Sequence, residues 1–166
     1  MTLKYRNGEE YYNRIYLFFN ATVAVTILPL AILLLKKQSN QLIPILPEVW
    51  MQWSLAIILN LTIAATLYWS IGQYKTGLSQ VKKKTTLRSI LDTYYKVSSK
   101  KFLSLMLVCG ICVAGYYTTV NGLFIVAYVI TMIFLSLKRP TLNLLIEELE
   151  LSEDHKKILV DKLEIE

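Results

Sequence analysis

The chain has 166 residues, of which 54% are hydrophobic and 18% charged, and a net charge of +6. A soluble domain carries about 25% charged residues. The shortfall is concentrated in three uncharged runs, Ile15–Leu35, Val49–Tyr74 and Phe102–Leu137, of 21, 26 and 36 residues. A membrane-crossing helix needs about 20 apolar residues, so this distribution excludes a soluble globular enzyme, a disordered chain and a secreted disulfide scaffold.

Residues 1–14 are polar and read as a cytoplasmic lead-in. The first run is longer than a signal-peptide core, and Lys36-Lys37 follows it rather than a small-residue cleavage site, so it reads as an uncleaved span. Tyr11, Tyr12 and Tyr16 mark its inner edge, as interfacial rings do. Pro29 removes one backbone bond and predicts a kink, with Thr26 close enough to help satisfy the region. Pro44 and Pro47 stiffen a short outer loop. The second run completes a first transmembrane hairpin over residues 15–74, with Trp50 and Trp53 at its outer edge and Tyr68, Trp69 and Tyr74 at its inner edge. Asn60, near the middle of this span, is expected to find an interhelical partner.

The loop 75–101 holds eight Lys/Arg and one acid, Asp92, a net charge of +7. Thr85-Thr86 are cap candidates after Lys82-Lys83-Lys84. Leu87, Ile90, Leu91 and Tyr94 then follow at i, i+3, i+4 and i+7, which predicts a basic amphipathic helix lying on the membrane surface. Lys82, Lys83, Lys84 and Arg88 are the candidate contacts to an anionic cytoplasmic leaflet, each worth about 1 kcal/mol. Nucleic acid competes for such a cluster, but the loop is tethered to the bilayer at both ends. Lipid is therefore the expected partner and nucleic acid is not.

As one helix, the third run would be about 54 Å long, against a hydrocarbon core of about 30 Å. Asn121-Gly122 interrupts it near the middle and is a strong turn signal, so residues 102–137 read as a second hairpin. Charge decides the matter independently. With that hairpin, the lead-in, the middle loop and the tail share one side and carry three, eight and five Lys/Arg, sixteen in all, against Lys36 and Lys37 opposite. Without it the split is 11 against 7, a far weaker orientation signal. Both termini are therefore expected in the cytoplasm.

No Asp, Glu, Lys, Arg or His lies within a span, whereas proton relays and ion-coupled transporters place ionisable groups at depth. The lone His155 lies in the tail and reads as a solvated side chain. Cys109-Gly110-Ile111-Cys112 has Cys-x-x-Cys spacing, which suggests thiol redox chemistry. At membrane depth, however, a thiol yields little reactive thiolate, and the chain has no second cysteine pair. Cys109, Gly110, Cys112 and Ala114 read instead as small residues for helix packing, with Gly110 and Ala114 at the small-xxx-small spacing, and Asn60 as packing glue. No metal and no cofactor is expected.

The tail, 138–166, opens with Arg139-Pro140, expected to end the fourth span. Leu142, Leu145, Ile146 and Leu149 form an apolar stripe for docking. Ser152 with Glu153 and Asp154 is a fresh helix start. Residues 147–166 carry a net −5, opposite in sign to the basic loop.

The tail Arg139-Pro140-Thr141 with Leu145-Ile146-Glu147-Glu148-Leu149 and Leu151-Ser152, and the basic lead-in to the third span ending Tyr94-Tyr95-Lys96, resemble the second half of small uncharacterised four-span bacterial inner-membrane proteins. That resemblance implies an architecture and a bacterial inner membrane, and no activity.

The expected fold is all-α: an integral membrane four-helix bundle of two hairpins, with a cytoplasmic amphipathic loop helix and a short helical tail. The expected function is non-enzymatic: an accessory, scaffold or assembly subunit that meets a protein partner through its cytoplasmic helices. The alternative is a small homo-oligomeric channel or transporter with a mildly polar path near Asn60, Thr62 and Thr131. The charge split gives a direct test. A single cysteine at position 121, in a chain with Cys109 and Cys112 replaced by serine, is expected to react with impermeant reagent only from the non-cytoplasmic side. Reaction only from the cytoplasmic side would remove the second hairpin.

Overall fold

A computed structural model describes residues 5–137, 139–161 and 163–165. Lys4, Lys138 and Lys162, three of the cations counted above, lie outside them. The described chain is all-helical: α1 (Gly8–Gln38), α2 (Val49–Val81), α3 (Leu87–Thr119), α4 (Leu123–Leu137), α5 (Leu142–Leu149) and α6 (Glu153–Val160). The only β-pairing among the described residues is an isolated bridge, Asn7 with Glu164. By length and composition α1, α2 and α3 can each cross a membrane. α4 is apolar throughout but has only 15 residues, about 22 Å, and makes a fourth candidate only when counted together with α5.

The chain divides into two compact units. One comprises Met1–Asn20, Ile71–Lys101 and Arg139–Glu166, the other Ala21–Ser70 and Phe102–Lys138. The first, the polar unit, takes in residues that composition alone assigns to spans. Ile15 and Phe19 are buried there. The uncharged runs therefore overshoot the apolar unit on α1 and α2, because side chains that bury against protein need no more charge than those that face lipid.

In the apolar unit α4 buries Phe124, Tyr128, Thr131 and Leu135, one stripe at alternating spacings of four and three. α3 presents Val108, Cys109, Cys112 and Tyr116 to the same core. The rest of the surface is apolar and bare: Trp50, Trp53, Ile57, Ile58, Leu61, Val126 and Ile133 are all at least half exposed. Soluble monomers rarely show apolar patches of that extent; in hydrocarbon they cost nothing.

The α3–α4 connection is the tight turn its sequence suggests, with one difference. The left-handed residue is Val120, at φ 52°, and no glycine has a positive φ. Asn121 acts through its side chain, its Oδ1 accepting from the Leu123 N–H at 3.0 Å, an Asx turn that leads into α4. At the C-terminal end of α1, Asn40 is left-handed (φ 55°) and the Gln41 N–H reaches the Lys36 carbonyl at 2.9 Å, a common way to close a helix. The loop that follows is tied to the end of α3 by Ile45 N–H to the Thr118 carbonyl at 3.0 Å.

The stretch expected as a separate surface helix is instead the first turns of α3. Leu87, Ile90, Leu91 and Tyr94 are buried within the polar unit. An apolar stripe buries against whatever apolar surface lies nearest, and here protein supplies it. Ser152 does precede α6, but its side chain makes no capping bond.

Close helix packing falls on a different glycine from the one expected. A Cβ on Gly110 would meet nothing within 4 Å, whereas on Gly115 it would overlap the Phe124 ring. Gly110 and Ala114 are exposed, so the small-xxx-small pair is not a packing seam in this chain. Gly115→Ala is expected to destabilise the fold by about 1–3 kcal/mol through overpacking. Gly110→Ala, gaining helix propensity in open space, should be neutral or mildly stabilising. Thermal unfolding in detergent compares the two, and equal melting temperatures would refute the assignment.

Candidate functional site

The polar unit gathers side chains from three stretches of chain. α5 begins at Thr141, whose hydroxyl accepts from the Leu144 N–H at 3.2 Å. It ends at Glu150, left-handed at φ 49°, with the Leu151 N–H bonded to the Ile146 carbonyl. This short helix buries Leu145 and Leu149, while Leu142 and Ile146 are half-buried. Glu148 lies next to Leu144 and Leu145, four and three residues back, on the helix surface.

Glu148 is the centre of the unit's polar geometry. Its Oε2 accepts from the Tyr74 hydroxyl of α2 at 2.5 Å and from the Tyr94 hydroxyl of α3 at 3.2 Å. Lys101 places its Nζ 4.2 Å from the Tyr74 ring centroid, a cation–π distance. Burial, and after it the negative charge of Glu148, push the Tyr94 hydroxyl up to about 12. A phenol held that high keeps its proton and donates it steadily. General acid–base work needs a group that titrates near the working pH, so this arrangement is suited to clamping α5 onto α2 and α3.

A second set of contacts ties the N-terminal stretch to α3. The Tyr11 hydroxyl donates to the Leu91 carbonyl at 2.7 Å, and burial raises its proton affinity well above the ordinary value. The Tyr5 hydroxyl donates to the Arg88 carbonyl at 3.2 Å, and the Arg88 guanidinium lies 5.7 Å from the Tyr5 ring centroid. The end of the tail closes on the same stretch: the Ile165 N–H bonds to the Arg6 carbonyl at 2.9 Å, and a Cβ on Gly8 would come within 3.0 Å of Leu159.

Of the expected lipid contacts, Lys82, Lys83, Lys84 and Arg88 are all exposed. Lys82 has an acidic partner within the unit, Glu150, at 2.6 Å. Tyr74 and Tyr11, which read in the sequence as interface markers, are hydrogen-bonding members of this cluster. Glu148 carried no signal except its place beside a leucine stripe.

In the apolar unit the expected interhelical bond of Asn60 is absent. Its Nδ2 donates to the Ala56 carbonyl of its own helix at 2.8 Å. A carbonyl one turn back is always within reach, so the amide needs no neighbour. Thr62, Thr66 and Thr131 do the same toward Ile58, Thr62 and Ala127. Thr26 donates to Thr22 and Val23 and not to the carbonyl four residues before Pro29. Cys109 and Cys112 are buried in the core and reduced. Among the described residues no three His, Cys, Asp or Glu side chains come together to hold a metal ion.

Protein-family models, curated proteins and solved structures contain no match to this chain.

The clamp has a measurable signature. Hydrogen bonds to a charged group contribute about 1.5–3 kcal/mol, so Glu148→Ala is expected to loosen the tail by that order and expose residues 141–161 to protease, with Glu148→Gln milder. The raised Tyr94 proton affinity means that the folded unit holds this proton more tightly than the unfolded chain. Its contribution is complete below the ordinary value of 10.0 and is lost as pH rises from there toward about 12. Tyr94→Phe should reduce the alkaline loss by this share and leave that of Tyr11 and Tyr74, whose proton affinities burial also raises. Unchanged protease resistance in Glu148→Ala would show that the carboxylate holds nothing.

Proposed function

We propose that the protein is a four-span integral membrane protein, with both termini in the cytoplasm of a bacterial inner membrane. Its folded polar unit serves as a docking platform for a protein partner, in a non-enzymatic accessory or assembly role. The observation that carries this reading is the contrast between the two units. The apolar unit leaves large hydrophobic side chains bare and turns its mid-span polar groups into its own helices. The polar unit spends its tail stripe internally, burying Leu145, Leu149, Leu151 and Leu159. The tail is thus part of a finished fold rather than a loose arm, and what that fold offers a partner is a charged exterior.

The same hydrogen bonds weigh against the channel alternative. A polar path needs donors and acceptors directed into a lumen, and Asn60, Thr62 and Thr131 have theirs engaged one turn back along the helix. Exposed Lys83, Lys84 and Arg88 suit contact with anionic headgroups, adding about 1 kcal/mol each near such a surface.

Cross-linking in native membranes followed by purification tests the reading. The full chain is expected to carry a heteromeric partner, cross-linked through lysines of the polar unit such as Lys83 and Lys84. Removal of residues 141–166 is expected to preserve membrane insertion and lose that partner. A symmetric homo-oligomer with a hydrated axis and no partner would favour the channel.

A further inference from the structure

The apolar unit contains a cleft of about 490 Å³ between α1 and α3. Val25, Pro29 and Ile32 line it from α1, and Gly110, Val113 and Tyr117 from α3. The open space beside Gly110 belongs to this cleft, since a Cβ there would touch nothing within 4 Å. An apolar cleft in a membrane-spanning unit is occupied by hydrocarbon, either an acyl chain or another helix.

Charge at one end decides between them. Lys36 and Lys37 stand one turn beyond Ile32 and Leu33, at i+4 from each, on the same face of α1. Both are exposed, and neither has an acidic partner among the described residues. The sole acid between residues 21 and 70 is Glu48, and its carboxylate accepts from the Trp50 indole N–H. The end of α3 is tied to the loop that follows α1 through the Ile45–Thr118 bond. Tyr117, 47% exposed, adds a phenol to the cleft wall. A second copy seated in the cleft in parallel orientation would bring two lysine pairs together, which repel. A molecule with an apolar chain and an anionic head satisfies both halves at once.

We propose that this cleft is a binding site for one anionic phospholipid, whose acyl chain lies along Pro29 and Gly110 and whose phosphate is held by Lys36 and Lys37. The inference rests on the reading of this unit as membrane-spanning, and on that topology it selects the leaflet opposite the termini. Gly110 and Ala114 then have a role that packing does not give them: small side chains keep the cleft open.

Native mass spectrometry of the full chain tests the site, after equilibration in detergent micelles containing equal amounts of phosphatidylglycerol and phosphatidylcholine. Wild type should retain one phosphatidylglycerol in preference to phosphatidylcholine. Replacing both lysines (Lys36→Gln with Lys37→Gln) should cut that preference about tenfold or more. Gly110→Leu, which fills open space, should abolish retention of both lipids. The lysine variant decides even if Gly110→Leu fails to fold, because both lysines are exposed. An unchanged lipid preference in the lysine variant, or a dimer that carries no lipid, would overturn the site. Extraction of the wild-type chain from membranes by alkaline carbonate would instead overturn the membrane reading, and this inference with it. Retention in the membrane without bound lipid would overturn the inference alone.

Discussion

The backbone's own hydrogen bonds constrain everything else in this chain. In hydrocarbon an unpaired N–H or C=O costs several kcal/mol, which leaves the helix as the default element. The apolar unit extends the rule to side chains. Asn60, Thr62, Thr66 and Thr131 each donate to a carbonyl one turn back in their own helix. In water such back-bonding competes with the helix; at membrane depth it makes a polar residue self-sufficient. Helix association then rests on shape, as where the Phe124 ring lies over Gly115, together with the Ser70–Ser104 hydroxyl pair between α2 and α3 at 2.5 Å.

The polar unit works under a different rule, since water is available there to any group left outside. It must gain stability by exchanging water for better partners. Leu145, Leu149, Leu151 and Leu159 are all buried, and full burial of such a side chain contributes about 1.5–3 kcal/mol. The visible ion pair between tail and loop, Lys82 with Glu150, has side chains 36% and 74% exposed, which limits it to about 0–1 kcal/mol. The opposed charges of loop and tail therefore bias where the tail goes, and the leucines and the Glu148 clamp keep it there.

Much of this was legible in the sequence, and the parts that were not share a cause. Run length, charge asymmetry and i/i+3/i+4 spacing are properties of one segment at a time, and they gave the helices, the Asn121 turn and the tail stripe. Whether a stripe lies on lipid or on protein depends on what another segment offers, so Leu87, Ile90, Leu91 and Tyr94 read as a surface helix although they are buried protein core. Gly110 and Gly115 sit in the same helix with nothing local to rank them; the position of Phe124 decides. Glu148 was invisible because its partners, Tyr74 and Tyr94, are 74 and 54 residues away in sequence.

The same distinction explains why Tyr11 and Tyr74 read as interface markers although their hydroxyls bond within the polar unit. An amphipathic ring prefers a boundary between apolar and wet surroundings, and composition cannot tell a membrane interface from the edge of a protein core. Tyr12 and Tyr16, whose rings stack at 5.7 Å, are only partly buried and suit the first kind of boundary. Tyr11, one residue away, is 1% exposed and spends its hydroxyl on the Leu91 carbonyl. On a helix, neighbouring residues are turned by about a quarter-turn or more from each other, so one can face lipid while the next locks α1 to α3. Tyr11 and Tyr12 thus mark two faces of α1, one turned into the core of the polar unit and the other outward.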